Sequence, residues 1–162
     1  MAIFKGLGGI IVVLVLLIGI VFLGARFHDG PLALIPGGPL SSGELVAGPV
    51  ADWTFATSVE LIEFQLAADD TSRTTWIVVE GGQAFIPCSL GFPPGKNWHL
   101  RADEDGRAII RLLGKRYEVT LDRIDNAPLS SKLEAIVAEK YDGGPPGGES
   151  EIWFFALNPP SA

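Results

Sequence analysis

Between Lys5 and Arg26 the chain runs for 20 residues, Gly6 to Ala25, without a charge: GLGGIIVVLVLLIGIVFLGA. At about 1.5 Å per helical residue such a run reaches roughly 30 Å, the thickness of a bilayer's hydrocarbon core. The sequence therefore predicts a transmembrane anchor over residues 1–27, with membrane lipid against residues 6–25. A cleaved signal peptide has a shorter apolar core, about 7–15 residues, and small residues ahead of its cleavage site. Here the run is longer, and at Leu23-Gly24-Ala25 a leucine stands where a small side chain is needed. An uncleaved signal anchor is expected. The amino terminus and Lys5 precede the run, while Arg26 after it is opposed by Asp29. The positive-inside bias then puts the N-terminus in the cytoplasm and the rest of this single-pass chain outside, periplasmic in a Gram-negative bacterium.

Beyond the apolar run the chain is acidic. All 162 residues together carry a net charge of -7, with 12 basic and 19 acidic side chains. Such a balance argues against binding nucleic acid through its phosphates. One cysteine, Cys88, allows no intrachain disulfide, and His28 and His99 are too few for a histidine-rich metal site, so no metal is expected. Residues 28–48 are punctuated by Gly and Pro and read as a linker that leans on the domain through Leu32, Leu34, Ile35 and Leu40. Gly143 to Gly148 reads as an exposed loop.

Residues 49–162 carry mostly strand signals. Val59–Leu66 puts Ile62, Phe64 and Leu66 on one face and Leu61, Glu63 and Gln65 on the other. Thr74–Val79 is β-branched and aromatic, turns at Gly81-Gly82, and returns as Ala84–Cys88. Arg107–Leu113 and Arg116–Ile124 form a second hairpin around Gly114-Lys115, and Glu151–Leu157 supplies the last strand. Helices are predicted at Asn97–Asp103 and at Leu129–Tyr141, the latter capped by Ser130 or Ser131. About six strands and two short helices in so small a domain suggest a closed or nearly closed barrel.

Three stretches resemble the split β-barrel flavin-binding superfamily, that of pyridoxamine-phosphate oxidase and the deazaflavin-dependent nitroreductases. They are the hairpin Ser72–Pro87, the segment Pro94-Gly95-Lys96-Asn97-Trp98-His99-Leu100-Arg101, and the hairpin Arg107–Ile124. The resemblance covers about a third of the chain directly. It implies a six-stranded split barrel, often dimeric, that holds a flavin such as FMN, a deazaflavin or a haem. It also implies that Arg73, Thr75 and Lys96 meet the cofactor's phosphate or ring, with Trp76, Trp98 and His99 beside them.

The residues themselves support plainer roles as well. Arg73 and Lys96 can bind a phosphate or carboxylate, or pair with Asp69, Asp70 or Asp103. His99 can act as an acid, a base or a haem ligand, or sit satisfied by a neighbour. Trp76 and Trp98 can stack on a ring or fill the barrel; Trp53 and Trp153 read as core. Cys88 reads as a buried inert thiol, and Asp103, Glu104 and Asp105 as a solvated turn. This inventory supports two functions. One is an interaction module or accessory subunit of a membrane complex, without a cofactor and with a protein complex or a second copy as partner. The other is a membrane-tethered oxidoreductase.

Overall fold

A computed structural model describes residues 2–142 and 150–160, with side chains from residue 9 onward. The fold is mainly β, with three helices and a curled sheet. The chain begins with α1 (Ala2–Ala25) and continues into a short strand β1 (Glu44–Leu45). The sheet is then built from β2 (Leu61–Leu66), β3 (Arg73–Trp76), β4 (Val78–Glu80), β5 (Gln83–Ser89), β6 (Arg107–Leu112), β7 (Lys115–Arg123) and β8 (Ile152–Asn158). Helix α2 (Trp98–Glu104) lies between β5 and β6, and α3 (Ala127–Lys140) between β7 and β8. The strand order is β3-β2-β6-β7-β8-β5-β4, antiparallel throughout, with β1 added in parallel to β7.

The two ends of that order, β3 and β4, are consecutive in the chain and separated only by Ile77. The sheet therefore curls until its edges meet in one bent segment. A single strand was expected from Thr74 to Val79, and the break has a local cause. The Ile77 N–H donates to Tyr141 Oη at 3.1 Å, and Lys140 Nζ donates to the Ile77 carbonyl at 2.8 Å. Side chains from the end of α3 thus take the backbone groups that a strand neighbour would otherwise hold. The same two residues shorten β2, which was expected from Val59. Lys140 Nζ donates to Val59 O at 2.6 Å and Tyr141 Oη to Glu60 O at 2.6 Å. Burial pushes the Tyr141 phenol up to about 12 and shifts the Lys140 ammonium down.

Alternation along the strands sorts side chains into two cores. Ile62, Phe64 and Leu66 of β2 face inward with Ala84, Ile86 and Cys88 of β5 and Phe155 and Leu157 of β8. The opposite faces of β5 and β8, Phe85, Phe154 and Ala156, pack under Leu133 and Val137 of α3. Both faces of these two strands are covered, which is why Ile152–Leu157 reads as a continuous apolar run rather than an alternating one. Trp53 joins the inner core, edge-on to Tyr117 at 5.4 Å. Trp153, expected in the core, is half-buried at its margin, with the Arg123 guanidinium 3.4 Å from its ring centroid. Helix α3 starts two residues earlier than expected. Asn126, not Ser130 or Ser131, is the cap: its side chain accepts the Leu129 N–H at 3.0 Å, with Pro128 in the first turn.

Residues 28–48 are bonded to the barrel along their length. Gly37 pairs with Ser72, Leu40 is buried, and Arg116 donates to Gly43 O and Leu40 O. Gly37 and Gly38 allow this close approach, since a side chain there would meet the carbonyls of Gly30, Arg26 and His28. Arg111 reaches out from β6 to Asp29 at 2.8 Å and also grips Glu63. Burial alone would raise the Asp29 pKa. Hydrogen bonds from Ser42, Ser41 and Arg111 outweigh it and hold the carboxyl well below its ordinary 3.8. A depressed folded pKa contributes stability above the ordinary value and loses it as pH falls through the folded one. Amide exchange at Ser41 and Ser42, corrected for intrinsic rates, is expected to be constant between about pH 5 and 8 and to accelerate below about pH 3. Unchanged protection in acid would contradict this fastening.

Helix α1 is 24 residues long. Counted over the described residues, no helix is long and apolar enough to cross a membrane, so that count gives the expected span no support. Every large apolar side chain from Ile10 to Leu23 is 51–65% exposed, and only Ala25, at the helix end, is buried. The side chains of Phe4 and Lys5 and the loop Gly143–Gly148 lie outside the described residues.

Candidate functional site

The bend at Ile77 has a consequence for the surface. β4 is hydrogen-bonded to β5, and β3 is bonded to β2, but β3 and β5 are not bonded to each other. A pocket of about 260 Å³ opens at that split. Thr74, Thr75 and Trp76 form its β3 wall, and Pro87, Cys88 and Ser89 its β5 wall. Phe92, Pro93 and Lys96 come from the connection to α2, together with Trp98 of α2 itself. Leu61 and the segment Ala33-Leu34 complete the lining. That segment is the tip of a tight turn, closed by reciprocal bonds between the Leu32 and Ile35 backbones at 3.0 and 2.9 Å.

Of the six residues assigned to a cofactor by resemblance, Thr75, Trp76, Lys96 and Trp98 meet in this pocket, while Arg73 and His99 do not line it. Arg73 turns to Asp69 at 3.2 Å, which also accepts Arg101 at 2.9 Å, and its guanidinium lies 5.5 Å from the Phe64 ring centroid. Burial is the main reason its pKa is lowered; the Asp69 charge works the other way. His99 is buried, edge-on to Trp153 at 5.3 Å, and its Nδ1 has no hydrogen-bond partner among the described residues. Burial first, then the Lys96 and Arg123 charges, lower its pKa, so the ring is neutral at pH 7.

The two tryptophans divide their roles. Trp98 is buried, 4.8 Å from Phe64 and 5.5 Å from Phe155, so most of its ring belongs to the inner core. Trp76 is half-buried outside that core and lies flat on Tyr141 at 3.9 Å. Tyr141 therefore both pins the bend and backs one wall of the pocket it creates. Lys96 Nζ donates to the Ser89 carbonyl. Among the described residues no carboxylate lines the pocket, and Lys96 is the charged side chain in its lining.

Cys88 lies in the inner core and contributes to the pocket wall. Burial pushes its thiol up to about 11 despite the Lys96 and Arg73 charges. Thiolate is the reactive form. Alkylation by iodoacetamide at pH 8, followed by mass spectrometry, is therefore expected to be at least about tenfold slower in the folded chain than after unfolding. Equal rates would contradict the buried, protonated thiol.

Asp103 and Asp105 pair with arginines. Asp105 holds Arg107 at 2.7 Å, a hydrogen bond that brings its pKa down to about 2, and Asp103 faces Arg123 at 3.6 Å. Among the described residues no three His, Cys, Asp or Glu side chains are grouped to hold a metal. Leu34, expected to lean on the domain, lines this pocket but is largely exposed. Residue patterns alone did not single out Leu61, Phe92 and Pro93; the one signal, for the last two, is the apolar, proline-containing run Leu90–Pro94 shortly before Lys96.

Compared with known proteins, the chain matches no family model and no curated protein.

Proposed function

We propose that this protein is a membrane-tethered barrel acting as an interaction module or accessory subunit, with α1 as a single span and the domain outside. The anchor is supported by an apolar helix exposed on all sides. Such a helix in water would leave its whole surface unburied, whereas lipid satisfies it. The firmly bonded segment 28–48 suits a domain held close to that helix. The charge bias, Lys5 before the helix against Arg26 and Asp29 of opposite sign after it, supports a cytoplasmic N-terminus.

The observation that carries the binding-module reading is the composition of the pocket. Among the described residues it offers one cation, Lys96, already bonded to Ser89 O, while Arg73 is committed to Asp69 and His99 lies elsewhere. A phosphorylated ring cofactor needs more positive groups and more room. Pockets for drug-sized ligands run from about 300 to 1,000 Å³, and this one is smaller. The oxidoreductase reading of the flavin-binding split barrels keeps one specific support: Thr75, Trp76, Lys96 and Trp98 do share a pocket.

Purification of the full chain from its native membrane in mild detergent separates the two. The accessory reading expects only aromatic absorbance, with unrelated proteins co-purifying in fixed ratio. A near-ultraviolet or visible band from a flavin, deazaflavin or haem, lowered by Lys96→Ala, would contradict it and favour the oxidoreductase.

A further inference from the structure

We propose that the pocket between β3 and β5 binds a single-chain anionic amphiphile, its apolar chain in the pocket and its carboxylate or phosphate on Lys96. The proposal rests on the membrane tether proposed above. Three observations lead to it.

The first is charge. In a chain of net charge -7, this pocket is walled mostly by apolar side chains and holds a lysine with no acidic neighbour among the described residues of its lining. Lys96 donates to Ser89 O and makes no ion pair among the described residues. An ammonium has three donors, so two remain for an anionic oxygen. Thr74 and Thr75, on the facing wall, add hydroxyls.

The second is size. Two acyl chains, or a ring system with a phosphorylated tail, exceed a pocket of about 260 Å³, whereas one chain of modest length fits between Pro87, Phe92 and Trp98.

The third is position. Leu34, at the tip of the Leu32–Ile35 turn, is 83% exposed while lining the pocket, and Phe27, two residues beyond α1, is 84% exposed. Leu61 and Phe92, also partly exposed, line the same pocket as Leu34. With α1 in the bilayer as proposed, Phe27 and Leu34, which follow it closely in the chain, are placed to meet the bilayer surface. A ligand can then pass from the bilayer into the pocket without its chain crossing water.

The test uses the full chain in phosphatidylcholine nanodiscs. Laurate, lauroyl lysophosphatidate and dodecanol each compete with a fluorescent fatty acid, and empty nanodiscs are subtracted. At least one anionic ligand is expected to compete about tenfold more tightly than dodecanol, the scale of one hydrogen bond to a charged group. Whichever anion is tighter tells a free carboxylate from a lipid phosphate. Lys96→Gln is expected to erase the preference and leave dodecanol unchanged. Lys96→Arg, which keeps the charge, retains it. Competition by dodecanol equal to that of the anions, a preference that survives Lys96→Gln, or no competition at all would each overturn the proposal. An alkaline wash of membranes containing the same chain is read in parallel. Washed-off protein that still prefers the anion overturns only the tether; membrane-held protein that binds none of the three overturns only the pocket's ligand.

Discussion

Phe64→Ala is expected to destabilise the domain by about 3–5 kcal/mol, the usual cost of removing a fully buried aromatic ring. Phe64 is completely buried at the centre of β2, edge-on to Trp98, and its ring faces the Arg73 guanidinium. Deleting it leaves a cavity that three strands and α2 share. It also strands Arg73 beside an empty space, so relaxation into the hole is poor. Domains have only about 5–15 kcal/mol in total, so thermal unfolding in detergent should move down by more than about 10 °C. Leu61→Ala, a change on the exposed face of the same strand, is expected to move it by a few degrees at most. Similar midpoints for the two variants would mean that the inner core is not centred on Phe64.

Val15→Lys combined with Ile18→Lys is expected to release the protein from membranes. On the insertion scale a basic residue at a helix centre costs about 2.5–3.5 kcal/mol, against a small gain for the apolar residue it replaces. Two such changes amount to roughly 6–8 kcal/mol against insertion. Val15 and Ile18 are 61% and 56% exposed and pack on nothing in the barrel. The barrel's own melting temperature should therefore be unchanged, which separates a tethering defect from a folding defect. Membrane retention of the double variant, at normal stability, would rule out α1 as the anchor.

The barrel strands were legible because their side chains alternate against one core, as at Ile62, Phe64 and Leu66. The break at Ile77 was not. Its cause is a lysine and a tyrosine more than 60 residues downstream that take backbone groups of β3–β4 and of the residues before β2, and no local pattern announces such a partner. The pocket arises from that break, so it was hidden for the same reason. Asn126 as the cap of α3 was readable from Asn-Ala-Pro, yet serines nearer the apolar stripe drew the expectation downstream. Segment 28–48 carries the Gly and Pro content of a free linker, but its glycines serve close contact with the barrel. Arg73 and Lys96 looked alike as cations. Only tertiary placement separates them, since Asp69 and the Phe64 ring hold Arg73, while among the described residues no carboxylate meets Lys96.

The most direct test of the tethered barrel is an alkaline carbonate wash of membranes from cells making the full chain. If the 24-residue α1 spans the bilayer as proposed, the protein stays with the membrane pellet. Quantitative release into the supernatant would contradict the tether and, with it, a pocket rim that rests on the bilayer.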